Sequence, residues 1–117
     1  MSTARKILIA DRDKAHIESL TRYLREEGFI IDSANTAAEM LTLLGTNDYT
    51  LVLSDIDLPD STGMALLSKI SKLQNTTKNL IFMGNNRKTD LMEFYRATGR
   101  PAFAKPVQST VLKRLIK

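Results

Sequence analysis

Five short apolar runs alternate with amphipathic segments along the chain, and this alternation restricts the possible folds more than any other feature of the sequence. Short apolar runs bounded by turn residues are typical of buried strands, and apolar residues three and four positions apart are typical of helices. Strands that are apolar throughout and alternate with helices indicate a parallel sheet covered on both faces. We therefore predict a doubly wound α/β fold of five βα units. The apolar runs fall at residues 6–10, 29–31, 51–53, 80–83 and 102–104.

The amphipathic segments carry residues that favour helix ends. The first segment stops at Gly28 and the fourth ends near Gly99. The second opens with Thr36 and Glu39 at capping-box spacing and stops before Gly45. The apolar positions that we expect to define the helices are Ile17, Leu20 and Leu24; Ala37, Met40, Leu41 and Leu44; Leu66, Leu67, Ile70 and Leu73; Leu91, Met92 and Tyr95; and Val111, Leu112, Leu115 and Ile116.

Size and composition favour one globular domain. A chain of 117 residues fits a single core, so we expect one domain over residues 1–117. The absence of cysteine excludes disulfides and thiolate metal sites. For the single histidine, His16, we predict an ordinary role in helix packing or on a helix surface. No run reaches the roughly 18 apolar residues that a membrane span needs, and no secretory apolar region is present, so we expect a cytoplasmic protein.

The net charge of +4 arises mainly from the last third of the chain. This excess indicates either a solvated basic face or a surface that docks an acidic output partner. We do not expect nucleic-acid binding from this chain alone, because no helix-turn-helix unit remains once the five βα units are assigned. The basic residues after Gly84 are Arg87, Lys88, Arg96, Arg100, Lys105, Lys113, Arg114 and Lys117, against Asp90 and Glu93.

Polar residues follow four of the five predicted strands. Asp11 and Asp13 follow the first, Asp55 and Asp57 the third, Gly84 and Asn85 the fourth, and Lys105 the fifth. The carboxyl ends of parallel strands meet at one edge of the sheet, so these residues should converge there. Grouped carboxylates need a cation between them, and oxygen ligands favour Mg²⁺. A carboxylate is also a competent nucleophile toward phosphorus, so the layout suits phosphoryl acceptance by an aspartate.

Two motifs within this frame give the chain a resemblance to the receiver domains of two-component response regulators. The segment Leu51-Val-Leu-Ser-Asp-Ile-Asp-Leu-Pro-Asp-Ser-Thr-Gly63 resembles the family's phosphoacceptor strand and the loop after it. The segment Phe103-Ala-Lys-Pro-Val107 resembles its Lys-Pro motif. The resemblance covers essentially the whole length, and it implies the flavodoxin-like sheet with strand order 2-1-3-4-5.

The resemblance also implies roles for individual residues. Asp55 would accept the phosphoryl group from a sensor histidine kinase or a phosphotransfer protein, and Lys105 would contact that group. Asp11, Asp55 and the backbone carbonyl of Asp57 would hold Mg²⁺. A cis peptide bond is expected between Lys105 and Pro106. At most, such a domain assists its own aspartyl phosphorylation, so we do not expect an enzyme.

Three positions depart from the family pattern. Arg12 stands where a second acidic metal ligand is expected; its guanidinium repels Mg²⁺ and could pair with Asp11 or Asp55, so we predict weak or absent Mg²⁺ binding. Asp13 could replace the missing ligand or, as we favour, cap the first helix.

Gly84 stands at the position of the family's usual Thr or Ser, and Ala102 stands at the position of its switch aromatic. Phe103 should face the opposite side of its strand, in the core. Asn85 or Asn86 could supply a substitute donor, although a loop-shaping role is favoured.

These departures leave two main functional hypotheses. The first is a phosphoacceptor receiver with a degenerate metal and switch site. The second is a phosphorylation-independent pseudo-receiver that acts as a protein interaction module. A phosphatase similar to haloacid dehalogenases is suggested by Asp55-Ile-Asp57, but in that family the motif follows the first strand of a larger fold. A flavodoxin-like cofactor protein would need phosphate-binding and ring-stacking loops in place of this acidic first loop.

Overall fold

The strands of the computed structural model are β1 (Lys6–Ala10), β2 (Ile30–Ala34), β3 (Leu51–Asp55), β4 (Asp57–Leu58), β5 (Ser61–Thr62), β6 (Leu80–Gly84) and β7 (Ala102–Ala104). Five of them form the central sheet, all parallel, in the order β2-β1-β3-β6-β7. The structure describes residues 5–73, 79–85 and 87–116. The order is the predicted 2-1-3-4-5, because β4 and β5 form a separate antiparallel hairpin. That hairpin follows Asp55 and was not predicted.

Helices cover both faces of the sheet, as the sequence predicts. The five helices are α1 (Lys14–Glu26), α2 (Ala37–Thr46), α3 (Gly63–Ile70), α4 (Lys88–Thr98) and α5 (Ser109–Leu115). Leu24 of α1 and Leu112 of α5 belong to one buried apolar cluster, and Met40, Leu66 and Phe94 of the other three helices belong to a second. None of the helices in the described ranges combines the length and the apolar character needed to span a bilayer.

Three predicted helix ends are confirmed. The Asp13 carboxylate accepts hydrogen bonds from the N–H groups of Ala15 and His16 at the start of α1. The Thr36 hydroxyl accepts one from the N–H of Glu39, as the capping-box spacing indicates. Gly99 ends α4 with a φ of 72°, in the left-handed region that glycine adopts without steric cost.

Several predicted boundaries were wrong. Strand β2 begins at Ile30 and extends through three more polar or small residues to Ala34; it lies at the edge of the sheet and pairs with β1 alone, so its side chains need not all be apolar. Helix α2 continues through Gly45 to Thr46. In α4 the buried residue is Phe94, whereas Met92 and Tyr95 are exposed.

Candidate functional site

Three charged side chains meet at the carboxyl edge of the sheet. Asp55 is the last residue of β3, Asp11 follows β1, and Lys105 follows β7. The Lys105 Nζ atom lies 2.9 Å from Asp55 Oδ2 and 3.0 Å from Asp11 Oδ1, so one ammonium group bridges the two carboxylates. The predicted convergence of these three residues is therefore confirmed, and the Lys105-Pro106 peptide bond is cis, as expected.

The two aspartates have the same chemistry but opposite pKa shifts. Asp11 is fully buried and Asp55 is 2% exposed. Burial raises the pKa of Asp11, but hydrogen bonds from His16, the Asp13 N–H and Lys105 outweigh it and hold that pKa well below its usual value. Burial also raises the pKa of Asp55, and there the bonds from Lys105 and the Asp57 N–H do not offset it. The charged form of Asp55 is thus the less stabilised of the pair.

Lys105 is held in its charged form by both carboxylates. Burial alone lowers its pKa, but the hydrogen bonds from its ammonium group to Asp55 and Asp11 outweigh that effect and raise the pKa. The side chain is 18% exposed. An ammonium group therefore lies beside the Asp55 carboxylate.

His16 is a part of this site that the sequence did not reveal. It is buried, and its Nδ1 lies 2.7 Å from Asp11 Oδ2. Its Nε2 accepts a hydrogen bond from the Val107 N–H at 3.3 Å. The buried position of His16 agrees with the predicted role in helix packing, but the ring also contacts the Asp11 carboxylate. The sequence feature that could have indicated this contact is the position of His16 in the first turn of α1, three residues after the Asp13 cap.

Arg12 does not pair with Asp11 or Asp55, contrary to the expectation from the sequence. Its Nε donates to the backbone carbonyl of Asp57 at 2.9 Å, and its Nη2 lies 3.3 Å from Asp57 Oδ1. Adjacent residues at a strand end point in different directions, so Arg12 reaches the rim of the pocket while Asp11 points into it. The carbonyl that the family resemblance assigns to a metal is thus bonded to a guanidinium.

Neighbouring side chains fill the space beside Gly84. A Cβ atom at this position would lie 2.8 Å from Ile56 Cδ1 and 2.9 Å from Leu91 Cδ2. The space of the expected Thr or Ser side chain is therefore taken by apolar atoms. The Asn85 side chain accepts a hydrogen bond from the Arg87 N–H, which confirms its loop-shaping role; Asn86 lies outside the described residues.

Ala102 and Phe103 face opposite sides of β7, as predicted. Ala102 packs with the cluster of α2, α3 and α4, and Phe103 packs with the cluster of α1 and α5. The small side chain of Ala102 borders a shallow surface cavity of about 230 Å³. Its other lining residues are Leu91, Met92, Tyr95, Arg96 and Pro101.

Comparison with known proteins agrees with this geometry. The model of the response regulator receiver domain family matches residues 7–117. The chain belongs to this family. The receiver domain is 34% identical over 112 residues to the transcriptional regulatory protein PmrA of Pectobacterium parmentieri, which covers 96% of this chain and 50% of PmrA. It spans half or less of the length of the curated relatives that it matches.

Solved receiver structures show the same fold. A CheY-like receiver domain from Methanospirillum hungatei JF-1 has a TM-score of 0.76 and 31% identity, with 97% of this chain and 94% of that one covered. The receiver domain of the sensor histidine kinase PA1611 from Pseudomonas aeruginosa PAO1, solved with magnesium in its active-site cleft, has a TM-score of 0.84 and 19% identity, with 97% and 95% covered. The relatives are response regulators and not phosphatases, and they do not favour the phosphorylation-independent alternative.

Receiver domains generally bind Mg²⁺ in this cleft, and the groups of this chain that could hold the ion accept hydrogen bonds from protein donors. Asp11 Oδ1 accepts hydrogen bonds from Lys105 and the Asp13 N–H, and Asp11 Oδ2 accepts one from His16. Arg12 is bonded to the Asp57 carbonyl. Across the described residues, no three acidic or histidine side chains are grouped as a metal site. Each candidate ligand thus already has an N–H partner.

Proposed function

We propose that this receiver domain accepts a phosphoryl group on Asp55 from a sensor histidine kinase or a phosphotransfer protein, and that Lys105 contacts the phosphoryl oxygens. The observation that carries the proposal is the Lys105 ammonium within 3.0 Å of both buried carboxylates. A fixed cation next to a carboxylate nucleophile is what transfer of a negatively charged phosphoryl group requires, because catalysis of this step is mainly positioning and charge stabilisation.

The transfer itself needs no redox partner. A lone pair of the Asp55 carboxylate forms the new O–P bond while the P–N bond to the donor imidazole breaks, and the imidazole nitrogen keeps that electron pair and takes up a proton. Lys105 then neutralises oxygens of the transferred group. The chain assists its own modification in this way and has no separate substrate.

We propose further that Mg²⁺ binds weakly or not at all. Arg12 replaces an acidic ligand, and its guanidinium is bonded to the Asp57 carbonyl. A divalent ion that binds that carbonyl would have to displace the Arg12 guanidinium, and the two positive charges would repel each other. Asp13, which caps α1, does not make up for the missing ligand.

Intact-protein mass spectrometry after incubation with acetyl phosphate tests both proposals. We expect wild-type chain to gain one phosphoryl group at a rate that changes little between EDTA and millimolar Mg²⁺. Asp55→Asn should gain none. The matched control is Asp57→Asn, which removes an exposed carboxylate two residues away and keeps the backbone carbonyl.

Two results would contradict the proposals. An adduct that persists in Asp55→Asn would exclude Asp55 as the acceptor, and a wild-type chain that gains no phosphoryl group from acetyl phosphate or from a cognate kinase would exclude phosphoryl acceptance. If the adduct is lost only in EDTA, Asp55 remains the proposed acceptor, but the proposal that Mg²⁺ binds weakly or not at all is overturned.

For the output partner we propose a protein with an acidic surface that meets the exposed basic side chains near the carboxyl terminus. Lys105 is not among them, because it is bonded within the pocket. Calorimetric titration of the partner at two ionic strengths should show weaker binding at the higher one. The exposed basic residues are Arg87, Arg96, Arg100, Lys113 and Arg114.

A further inference from the structure

His16 connects two segments that are distant in the sequence. Its ring bridges the Asp11 carboxylate, after β1, and the Val107 N–H, two residues after Lys105. A backbone N–H can only donate, so Nε2 is the accepting nitrogen and the neutral ring carries its proton on Nδ1. That proton is donated to Asp11 Oδ2. The network therefore assigns one tautomer and one orientation to the ring.

The ring also determines the orientation of the Asp11 carboxylate. His16 is the partner of Oδ2 among the described residues, whereas Oδ1 faces Lys105 and the Asp13 N–H. Rotation of the carboxylate would break the short bond to the ring, so the ring keeps Oδ1 directed at Lys105. Through Val107 it also holds the backbone that follows Lys105.

We propose that His16 is a positioning residue for phosphoryl acceptance at Asp55, an inference that rests on the proposed function. Arg12 binds Asp57 at the pocket rim, so the Lys105 ammonium is the cation bonded to Asp55. When the new O–P bond forms, Lys105 must remain near Asp55 while it moves toward the phosphoryl oxygens. Asp11, held by His16, keeps it there.

Three substitutions separate the two contacts of the ring. His16→Asn places an amide N–H near the position of Nδ1 and keeps the donor to Asp11. His16→Gln places its amide near the position of Nε2 and keeps only the contact to Val107. His16→Leu removes both contacts but fills similar volume.

We expect His16→Leu and His16→Gln to slow phosphorylation by acetyl phosphate about 10- to 100-fold, the usual effect of losing a partner that orients an active-site ligand. His16→Asn should stay within a few-fold of wild type.

The rates are compared per folded molecule, with the folded fraction taken from urea unfolding of each variant. Leu24→Ala is the matched control, because it removes buried volume from the same helix far from the pocket. It should lower stability and leave the rate per folded molecule unchanged. A merely structural role of His16 would lower stability but leave the rate per folded molecule at the wild-type value in all three variants, so there would be no loss for asparagine to rescue.

The outcomes distinguish this inference from the proposed function. If wild-type chain is phosphorylated and His16→Leu reacts at the wild-type rate, or His16→Asn reacts as slowly as His16→Leu, the positioning role is overturned and Asp55 remains the acceptor. If wild-type chain accepts no phosphoryl group, the proposed function fails and this inference fails with it. Nitrogen-15 NMR of the ring should show the Nδ1–H tautomer; an Nε2–H tautomer also overturns the assignment.

Discussion

Asp55, the proposed phosphoryl acceptor, is a residue whose ionisation should reduce the stability of the fold that holds it. Its pKa is raised chiefly by burial, so the folded state binds a proton at Asp55 more tightly than the unfolded state does. Ionisation therefore lowers the free energy of unfolding as the pH rises from the unfolded pKa through the folded one. Below that window the carboxyl is protonated in both states and the cost disappears.

We therefore predict that Asp55→Asn stabilises the domain at pH 7, by on the order of 1 kcal/mol, the usual size of a point-mutation effect. Urea unfolding between pH 3 and pH 7 measures it, and the gain should vanish toward the acid end. Asp48→Asn, which removes an exposed carboxylate, is the control and should change little. A loss of stability in Asp55→Asn at pH 7 would show that the bond to Lys105 outweighs burial.

Arg12 allows a direct test of the proposal that Mg²⁺ binds weakly or not at all. Its pair with Asp57 is exposed on both sides, and exposed ion pairs contribute roughly 0–1 kcal/mol, so substitution should leave the fold intact. We predict that Arg12→Asp restores an oxygen ligand, frees the Asp57 carbonyl and makes Mg²⁺ accelerate phosphorylation by acetyl phosphate at least tenfold. Arg12→Gln, which removes the charge without adding a carboxylate, serves as the control. Equal rates with Mg²⁺ and EDTA in Arg12→Asp would count against the assignment.

A carboxylate joins the hairpin after Asp55 to helix α2. Asp60 accepts hydrogen bonds from the N–H groups of Ala37 and Ala38 at 2.7 and 3.1 Å. The Ala37 N–H is the main cause of the lowered pKa of Asp60. A carboxylate with a lowered pKa stabilises the fold above its unfolded pKa, and this contribution is lost as the pH falls through the folded value.

We accordingly expect Asp60→Ala to lower the melting temperature at pH 7 because two helix-terminal N–H groups lose their acceptor. The difference from wild type should shrink at acid pH, where Asp60 is protonated. Thermal melts followed by circular dichroism at both pH values check this. A difference that does not depend on pH would mean that the charge of Asp60 has no part in the cap.

The side-chain ends of Ile56, which follows β3, and Leu91 of α4 would have to shift to admit at Gly84 the hydroxyl side chain that receiver domains usually carry there. Gly84→Thr would place three heavy atoms where Ile56 and Leu91 already lie, and overpacking costs typically ~1–3 kcal/mol. Ile56→Ala should recover part of this loss in the double variant, as measured by urea unfolding. Gly45→Thr is the matched control, since a Cβ there meets nothing within 4 Å. Equal stabilities of Gly84→Thr and wild type would show that the two apolar side chains move aside freely.

Element order and the meeting of Asp11, Asp55 and Lys105 could be predicted because they depend on hydrophobic period and on the rule that parallel strands end at one edge. The partner of Arg12 and the two bonds of His16 could not. They depend on side-chain direction at the end of β1 and in the first turn of α1, which strand and helix patterns do not specify. The extent of β2 was missed because an edge strand tolerates exposed polar residues such as Ser33.

The two apolar clusters lie on opposite faces of one sheet and should unfold together. We predict that Leu24→Ala on one face and Leu66→Ala on the other each cost ~2–5 kcal/mol, since both side chains are fully buried. Urea unfolding followed by far-ultraviolet circular dichroism and by tyrosine fluorescence should give coincident transitions in both variants. Two separate transitions in either variant would show that the layers are independent.

The guanidinium on the Asp57 carbonyl places a positive charge of the polypeptide itself at the rim of the pocket. A bound ion is present in a fraction of molecules that follows its concentration in the surroundings, whereas an arginine is present in every copy. Under the proposed function, readiness for signalling would not vary with the free magnesium of the cell. Chelation or magnesium starvation removes the ion from pockets that depend on it, but it would leave the pocket of this receiver unchanged.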